Sequence, residues 1–320
     1  MKVVQNINKN IRAEIKRISN SHYYMDYFGD YEFDEYLSKG VCNIDDYINF
    51  VTQRLIFDDK ANLKNQDFGC AAFVAKNLDG DFIFARNMDC ECATAMVIKL
   101  QDCNTYHSIG LLNMAELDWD EYTYDTLDID SKLTLAAPYS PSDGINEHGL
   151  AVAILTDVDG IYPTTNKITL LDLTLPRLIL NQAKNVEEAI QLAQNYNLFH
   201  IVSPIHYMVA DVTGNSAVIE FVNGEMVVTK KNCNYQVVTN FTLYNNPLHN
   251  GFGKDRYENI EHELVKRNGV ISENDALELL KKNVIPGDEQ WSAVYNLNKR
   301  NVLISFCKEY DAVYRYELTV

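Results

Sequence analysis

The chain has 320 residues, of which 47% are hydrophobic and 23% charged, a composition typical of globular proteins. Its formal net charge of −17 argues against nucleic acid or an anionic membrane surface as a partner, because the long-range field is repulsive. No window approaches the run of about 20 apolar residues that a membrane-spanning helix requires. The N-terminus lacks the apolar stretch of a secretory signal, and the seven cysteines follow no disulfide-framework spacing. We therefore expect reduced thiols and a cytoplasmic location.

Residues 1–69 are polar, and their pattern predicts helices. Ile11, Ile15 and Ile18 recur at helical spacing. Asn43 is expected to cap a second helix, with Asp46 at its third position. The apolar stripe of that helix consists of Ile44, Tyr47, Val51 and Leu55. Residues 58–67 are polar and aperiodic, as in a cleavable or flexible connector.

From Cys70 onward the pattern changes to strands. Residues 70–76 and 82–88 are apolar on both faces and flank the turn 77–80, so their sheet should be covered on both sides. Further strands are predicted at 149–156, 205–211, 216–222, 225–230, 235–239, 290–296, 301–307 and 312–318. Helices are predicted at 171–183, 186–196, 254–267 and 273–282. Blocks of strands and blocks of helices indicate an α+β protein with antiparallel sheets.

The first hairpin brings two charged residues back beside Cys70. The residue opposite Cys70 must lie between Asn87 and Asp89, so Arg86 and Asp89 are close in any register. A guanidinium beside a thiol favours the thiolate. If the Gly69–Cys70 bond is cut, Cys70 gains an α-amino group with a pKa of about 7.7–8.0 that can accept the thiol proton. Asp89 would then orient the amine.

A plainer interpretation of the same residues stays open. A single free cysteine is most often a small buried residue of the core. Arg86 and Asp89 could likewise form an ordinary ion pair at the end of a strand.

The motifs that follow favour the catalytic interpretation. Cys70, the turn Asp79–Gly80 and the strand 86–89 (Arg-Asn-Met-Asp) resemble the opening of the choloylglycine hydrolase, or linear amide C–N hydrolase, family. This family of N-terminal-nucleophile enzymes includes bile salt hydrolases and penicillin V acylases, with acid ceramidase and N-acylethanolamine acid amidase more distantly similar. Further stretches similar to family motifs are 143–150, 205–220, 237–240 and 255–257.

The resemblance implies a four-layer αββα sandwich, the N-terminal-nucleophile hydrolase fold. Residues 1–69 would be a helical pro-segment cleaved before Cys70, and residues 70–320 the amidohydrolase domain. The resemblance implies five catalytic residues, Cys70, Arg86, Asp89, Asn240 and Arg256. Cys70 would be both nucleophile and base. Arg86 and Asp89 would tune its reactivity, and Arg256 would complete the polar shell. Asn240 would donate to the oxyanion together with the backbone N–H of Thr156.

Departures from the family pattern bear on the substrate. Thr156 stands where bile salt hydrolases typically have Asn and penicillin V acylases Tyr. The stretch 240–256 is shorter than in bile salt hydrolases, and those enzymes lack a long pro-segment, which the acid ceramidase type has. We expect a broad amidase of N-acyl compounds, with bile salts and penicillins as lesser candidates. The expected partners are a small N-acyl amide substrate, the chain's own pro-segment and, in a homo-oligomer, a second copy.

Two alternative functions stay open. An acyltransferase of the same fold would move the acyl group to an amine instead of water. A non-catalytic binding protein would keep its uncut pro-segment docked over the site.

No metal or other cofactor is expected. Cys90 and Cys92 lack the second ligand pair of a structural zinc site, and Cys103 has no suitably spaced histidine. Counting from Asn77 or Asp157, no Glu falls at the twelfth position of a calcium loop. The acidic stretch 116–130 is expected to be a solvated loop. The histidines expected to be structural, with no partner identifiable from sequence, are His107, His148, His200 and His206.

Overall fold

The computed structural model describes residues 1–6, 10–56, 69–90, 94–101, 104–114, 132–287 and 290–319. Its strands are β1 (Lys2–Asn6), β2 (Ile11–Arg17), β3 (His22–Phe28), β4 (Gly69–Lys76), β5 (Phe82–Asp89), β6 (Ala95–Leu100), β7 (Ser108–Asn113), β8 (Asp143–Asn146), β9 (Ala151–Thr156), β10 (Thr169–Leu171), β11 (Asn197–Phe199), β12 (Ile205–Ala210), β13 (Ser216–Val222), β14 (Glu225–Lys230), β15 (Gln236–Val238), β16 (Trp291–Asn296), β17 (Asn301–Phe306) and β18 (Tyr314–Glu317). Its α-helices are α1 (Phe33–Lys39), α2 (Ile44–Val51), α3 (Leu175–Gln182), α4 (Val186–Ala193), α5 (Lys254–Lys266) and α6 (Glu273–Lys281).

Two large sheets form the centre of the fold. One has ten strands in the order β1-β2-β3-β6-β7-β8-β9-β12-β13-β14, and the other has six in the order β15-β4-β5-β16-β17-β18. Helices α3 and α4 pack on the ten-stranded sheet, and α5 and α6 pack on the six-stranded sheet. The layers are therefore helix, sheet, sheet and helix, and the predicted αββα sandwich is confirmed.

The alternation of side chains along β4 decides where Cys70 points. Cys70, Ala72 and Val74 belong to the core between the two sheets. Ala71, Phe73 and Ala75 belong instead to the core under α5 and α6. Because successive residues of a strand face opposite sides, the thiol lies between the sheets. The expectation that this hairpin is covered on both faces is confirmed.

Residues 2–6, 11–17 and 22–28 form strands, so the predicted helix over Ile11 to Ile18 is wrong. Ile11, Ala13 and Ile15 are buried, while Arg12 and Lys16 are exposed, which is the period of a strand. Ile11 and Ile15 are four residues apart, a spacing that fits one face of a helix and one face of a strand equally well. Pairing with the neighbouring strands favours the strand over the helix.

The helical prediction holds for the second part of this segment. Helix α2 begins where expected, because the Asn43 side chain accepts a hydrogen bond from the Asp46 backbone N–H at 2.9 Å. Tyr47 and Val51 face the core as the stripe predicts. The predicted connector at 58–67 and the acidic stretch at 116–130 lie outside the described residues.

The N-terminal strands are part of the main core. Strand β3 pairs in parallel with β6, which joins β1, β2 and β3 to the ten-stranded sheet. From β3, the ring of His22 stacks on Phe306 with centroids 4.1 Å apart, and its Nε2 lies 2.8 Å from the Tyr316 hydroxyl. These contacts connect the N-terminal strands to the six-stranded sheet as well.

The cysteines only partly follow the expectation of reduced thiols. Four are free thiols, Cys42, Cys70, Cys90 and Cys233. Cys307 is disulfide-bonded, so the expectation is wrong for this position. The cytoplasmic location stays a prediction, and a disulfide is more usual in oxidising compartments. Among the described helices, none is long and apolar enough to cross a membrane.

Replacing Met25 by Ala tests whether the N-terminal strands belong to the core. Met25 is fully buried on β3 between Ile15 and Ile98 of the neighbouring strands. We expect the free energy of unfolding to fall by about 2–5 kcal/mol, the usual cost of truncating a buried Met. Urea denaturation in the Cys70→Ala background compares all variants as single chains.

The matched control is Lys16→Ala on the adjacent strand, where the side chain is exposed. It should change the free energy of unfolding by no more than about 0.5 kcal/mol. Equal effects of the two substitutions would contradict a shared core.

Candidate active site

The β4–β5 hairpin places Cys70 at the centre of a buried polar network. Cys70 lies opposite Met88, and Gly69 lies opposite Asp89, within the predicted range of registers. At the turn, the Asn77 side chain accepts hydrogen bonds from the backbone N–H groups of residues 79 and 81, which fixes the loop length and hence the register. Cys70 is fully buried.

The sulfur of Cys70 contacts the guanidinium of Arg86. Nη2 of Arg86 donates to Sγ of Cys70 at 3.2 Å and to the carbonyl oxygen of Ile154 at 3.1 Å. Burial raises the pKa of the Cys70 thiol, the charge of Arg86 opposes this rise, and the carboxylate of Asp89 adds to it. The net shift is upward, so the thiol is protonated at neutral pH.

Arg86 is held by Asp143 and not by Asp89. Its Nη1 donates to a carboxylate oxygen of Asp143, and both side chains are fully buried. Asp143 also accepts hydrogen bonds from Trp291 Nε1 at 2.8 Å and from the Tyr295 hydroxyl. Burial by itself lowers the pKa of Arg86, but the charge and hydrogen bond of Asp143, together with Cys70 and Tyr295, outweigh it, and the net shift is upward.

Asp143 is a site residue that the sequence analysis did not assign. It opens the stretch 143–150, which was noted only as a motif. A buried arginine requires an anion, and this rule gives a sequence-level reason to look for one. It does not say which of many acidic residues supplies it.

Asp89 pairs with the second arginine of the site. Nη1 of Arg256 donates to Oδ2 of Asp89 at 3.2 Å and to the carbonyl oxygen of Cys70 at 2.8 Å. Arg256 lies in the first turn of α5, and a Cβ added at Gly253 would lie 2.6 Å from its Nη2. An Arg86–Asp89 ion pair, the plainer interpretation of the sequence, is therefore not what the structure contains.

Asn240 connects the backbone of Cys70 to Thr156. Its Oδ1 accepts hydrogen bonds from the Cys70 N–H at 2.7 Å and from Nη2 of Arg256 at 2.8 Å. Its Nδ2 donates to the carbonyl oxygen of Thr156 at 3.0 Å. All six residues expected at the site thus belong to one continuous network, while their catalytic roles stay predictions.

A buried histidine that was expected to be merely structural lies beside this network. Nε2 of His206 lies 2.8 Å from the carbonyl oxygen of Thr239, the residue before Asn240. The Nδ1 atom faces two carboxylates, those of Asp157 and Glu220. No local sequence pattern indicates these partners, because all three are distant from His206 in the chain.

The metal site considered and set aside at Cys90 and Cys92 is only partly described. Sγ of Cys90 donates to Oε1 of Gln290 at 3.2 Å and accepts from Nδ2 of Asn113 at 3.6 Å. Cys92 and Cys103 lie outside the described residues.

Comparison with known structures agrees with the fold. A mutant of the conjugated bile acid hydrolase from Clostridium perfringens superposes with a TM-score of 0.55 and 17% identity, covering 78% of this chain and 92% of that one. Penicillin V acylase from Agrobacterium tumefaciens gives a TM-score of 0.53 and 17% identity, covering 74% of this chain and 83% of that one. At such identities the likeness concerns the fold, which is that of the N-terminal-nucleophile hydrolases.

Sequence comparison identifies the family. The profile of the linear amide C–N hydrolases, choloylglycine hydrolase family, matches residues 70–280. Penicillin V acylase of Pectobacterium atrosepticum is 29% identical over 122 residues, and an uncharacterised protein of Paramecium bursaria Chlorella virus 1 is 30% identical over 97 residues. These stretches are 34% and 27% of this chain, and about a third of each relative, 32% and 35%. The chain belongs to the choloylglycine hydrolase family of linear amide C–N hydrolases.

Substituting Asp143 by Asn tests the importance of the buried counter-ion. Because this change leaves Arg86 charged and without its carboxylate, we expect the free energy of unfolding to fall by about 3–5 kcal/mol. Asp79→Asn is the control, since Asp79 forms an exposed ion pair with Lys299 at 3.0 Å and should contribute at most about 1 kcal/mol. Urea denaturation of both variants provides the comparison, and similar losses would contradict the assignment.

Alkylation by iodoacetamide tests whether the Cys70 thiol is protonated and inaccessible. The measurement is made on the full-length chain, which is identified by its mass. Only the thiolate reacts, and burial together with a raised pKa keeps Cys70 protonated and inaccessible at pH 7. The exposed thiols Cys42 and Cys233 should be modified first, and peptide mass mapping over time measures the order. Modification of Cys70 as fast as these two would contradict the structure.

Proposed function

We propose that this protein is a cysteine amidohydrolase that cleaves linear amide bonds of N-acyl compounds after removal of residues 1–69. One observation carries the proposal: both reactive atoms of Cys70 are already held by polar side chains. Its sulfur accepts a hydrogen bond from Arg86, and its backbone nitrogen donates one to Asn240. An ordinary core cysteine needs neither contact.

Maturation would use the same sulfur. Sγ of Cys70 attacks the carbonyl carbon of Gly69, the C–N bond breaks, and the nitrogen takes the thiol proton to become the amine. Water then hydrolyses the thioester and releases residues 1–69 with a carboxylate on Gly69. Gly69 lies at the start of β4 under Ile285, since a Cβ at this position would lie 1.8 Å from Cδ1 of Ile285. Only a residue without a Cβ fits beneath Ile285 at this position.

Turnover follows from the new terminus. The amine of Cys70 accepts the thiol proton, and the thiolate attacks the substrate carbonyl to form a tetrahedral oxyanion. Loss of the substrate's amine, which takes the proton, leaves an acyl thioester that water hydrolyses. Arg86 stabilises the thiolate through its contact with the sulfur. Oδ1 of Asn240, which accepts from the Cys70 nitrogen in the uncut chain, is placed to accept from the amine and orient it.

Oxyanion stabilisation is assigned to Asn240 and to the backbone N–H of Thr156. In the uncut chain, Nδ2 of Asn240 donates to the Thr156 carbonyl oxygen at 3.0 Å. Arg256 and Asp89 complete the polar shell by holding the carbonyl oxygen of Cys70 and the Asn240 side chain in place.

The comparisons support the class of substrate. The family match begins at residue 70, the proposed new terminus. A penicillin V acylase is among the sequence relatives, and a bile acid hydrolase is among the structures of like fold. Thr156 matches neither of the residues that these two groups typically carry. A broader range of N-acyl amides is therefore the proposed substrate class.

The removed segment is also a proposed partner of the mature enzyme. Strand β3 keeps its backbone pairing with β6 whether or not the chain is continuous at Gly69. The buried residues Tyr23, Met25 and Tyr27 remain in the core for the same reason. Residues 1–69 would then stay bound to the rest of the molecule after cleavage.

Mass spectrometry of the purified protein tests maturation. Under denaturing conditions we expect fragments of 69 and 251 residues, which together make up the 320 of the chain. In native size-exclusion chromatography the two should elute together. The Cys70→Ala chain should remain whole, whereas the control Cys233→Ala, which changes an exposed thiol, should be cut like the wild type.

A panel of N-acyl amides, scored by amine release, tests the activity. Cys70→Ala should abolish hydrolysis, and Asn240→Ala should lower kcat about 10²–10³-fold, the usual cost of losing one oxyanion donor. Adding an amine acceptor separates hydrolysis from acyl transfer. An uncut chain that hydrolyses amides would refute the free-amine mechanism, and a cut chain inactive on every amide would refute the assigned substrate class.

A further inference from the structure

A buried group of three ionisable side chains lies behind Asn240 and is not used by the mechanism above. His206 on β12 has its Nδ1 atom 3.8 Å from Oδ2 of Asp157 and 3.6 Å from Oε1 of Glu220. Asp157 directly follows β9, and Glu220 lies on β13. All three are at most 1% exposed in their side chains. We refer to these three residues as the His206 cluster.

The histidine of the cluster holds the backbone immediately before Asn240. Its Nε2 lies 2.8 Å from the Thr239 carbonyl oxygen, to which it donates. Thr239 is fixed a second time, because its hydroxyl donates to the carbonyl oxygen of Gly253 at 3.0 Å. The peptide that leads into Asn240 is therefore bonded on both sides.

The two carboxylates hold the backbone immediately after Asn240. The hydroxyl of Thr242 donates to both oxygens of Asp157, at 2.9 and 3.0 Å. Glu220 accepts hydrogen bonds from the backbone N–H groups of Leu243 at 2.5 Å and Tyr244 at 3.1 Å. The segment 239–244 is thus bonded on either side of the asparagine.

The cluster also reaches the second oxyanion donor. Asp157 is the residue after Thr156, so the chain that supplies the proposed backbone donor is anchored by the same carboxylate. The Asn240 side chain bonds to the Thr156 carbonyl oxygen at 3.0 Å, which closes the connection between the two donors.

The charges within the cluster favour a cationic imidazole. Burial by itself lowers the pKa of His206, but the hydrogen bond and charge of Glu220 and the charge of Asp157 outweigh it, and the net shift is upward. A protonated ring has an N–H on both nitrogens, so it can face the carboxylates and donate to Thr239 at the same time. Both carboxylates are already hydrogen-bonded to segment 239–244.

We propose that His206, together with Asp157 and Glu220, is a positioning residue that fixes the side chain of Asn240 for oxyanion stabilisation. The inference rests on the proposed function, because it assumes that Asn240 donates to the oxyanion. An oxyanion donor is effective only if it points to the position where the negative charge develops. Displacing segment 239–244 would therefore lower the catalytic rate while the fold is kept.

The kinetic test compares two substitutions on the same strand. His206→Gln removes the cation, and we expect kcat to fall about 10–100-fold, the scale for misplacing a catalytic group, while KM changes little. Tyr207→Phe is the control, since it removes a buried hydroxyl that donates to the carbonyl oxygen of Asp172 at 2.9 Å, away from segment 239–244. It should leave kcat within about twofold. Equal losses in the two variants would overturn the proposal.

A double substitution separates positioning from general damage. In the Asn240→Ala background, His206→Gln should have little further effect on kcat, because the group it positions is gone. If His206→Gln reduces kcat by the same factor with and without Asn240, the proposal is wrong. Thr242→Val, which removes only the hydroxyl bonded to Asp157, gives a milder variant should His206→Gln fail to fold.

Hydrogen exchange provides a readout that needs no turnover. In the Cys70→Ala chain, His206→Gln should speed amide exchange in segment 239–244, and Tyr207→Phe should not. The proposal is overturned if exchange there is unchanged, or if elemental analysis finds one equivalent of metal bound through these three residues. Hydrogen exchange does not depend on activity. An inactive wild-type enzyme would therefore refute the proposed function, while the exchange rates would still show whether His206 fixes segment 239–244.

Discussion

The structure depends most on one buried ion pair, between Arg86 of the six-stranded sheet and Asp143 of the ten-stranded sheet. A guanidinium between two sheets is costly to desolvate, and it is tolerated only with a carboxylate and with hydrogen bonds to its N–H groups. Trp291 and Tyr295, from the strand beside Arg86, donate to the same carboxylate. The pair therefore fixes how the two sheets face each other.

This constraint has a direct consequence for Cys70. Once Arg86 is fixed by Asp143, its second nitrogen must lie against the sulfur, 3.2 Å away. The second arginine, Arg256, acts on the backbone side of the same residue through the Cys70 carbonyl oxygen and Asp89. Each cation thus has its own carboxylate. The two arginines act on the pKa of the Cys70 thiol, and each is neutralised by an opposite buried charge.

The N-terminal strands show how much of a fold can be supplied by a segment outside the family match. The match begins at residue 70, yet β1, β2 and β3 extend the ten-stranded sheet, and His22 contacts the opposite sheet. A segment integrated in this way is a structural part of the sandwich. Backbone pairing and buried side chains attach β1, β2 and β3 to the rest of the protein, more than the covalent bond at Gly69 does.

The sequence by itself determined the local features: the narrow range of hairpin registers opposite Cys70, the Asn43 cap of α2 and the start of α5 at Lys254. Each depends on residues near one another in the chain, where turn chemistry and periodicity are sufficient. Tertiary structure decided that Ile11 and Ile15 lie on a strand, because a spacing of four fits both periods and only pairing with β3 distinguishes them. It also decided that Asp143, not Asp89, neutralises Arg86, and that His206 has partners at all. These contacts join residues that are not neighbours in the chain, and no local pattern encodes which distant carboxylate a buried cation will meet.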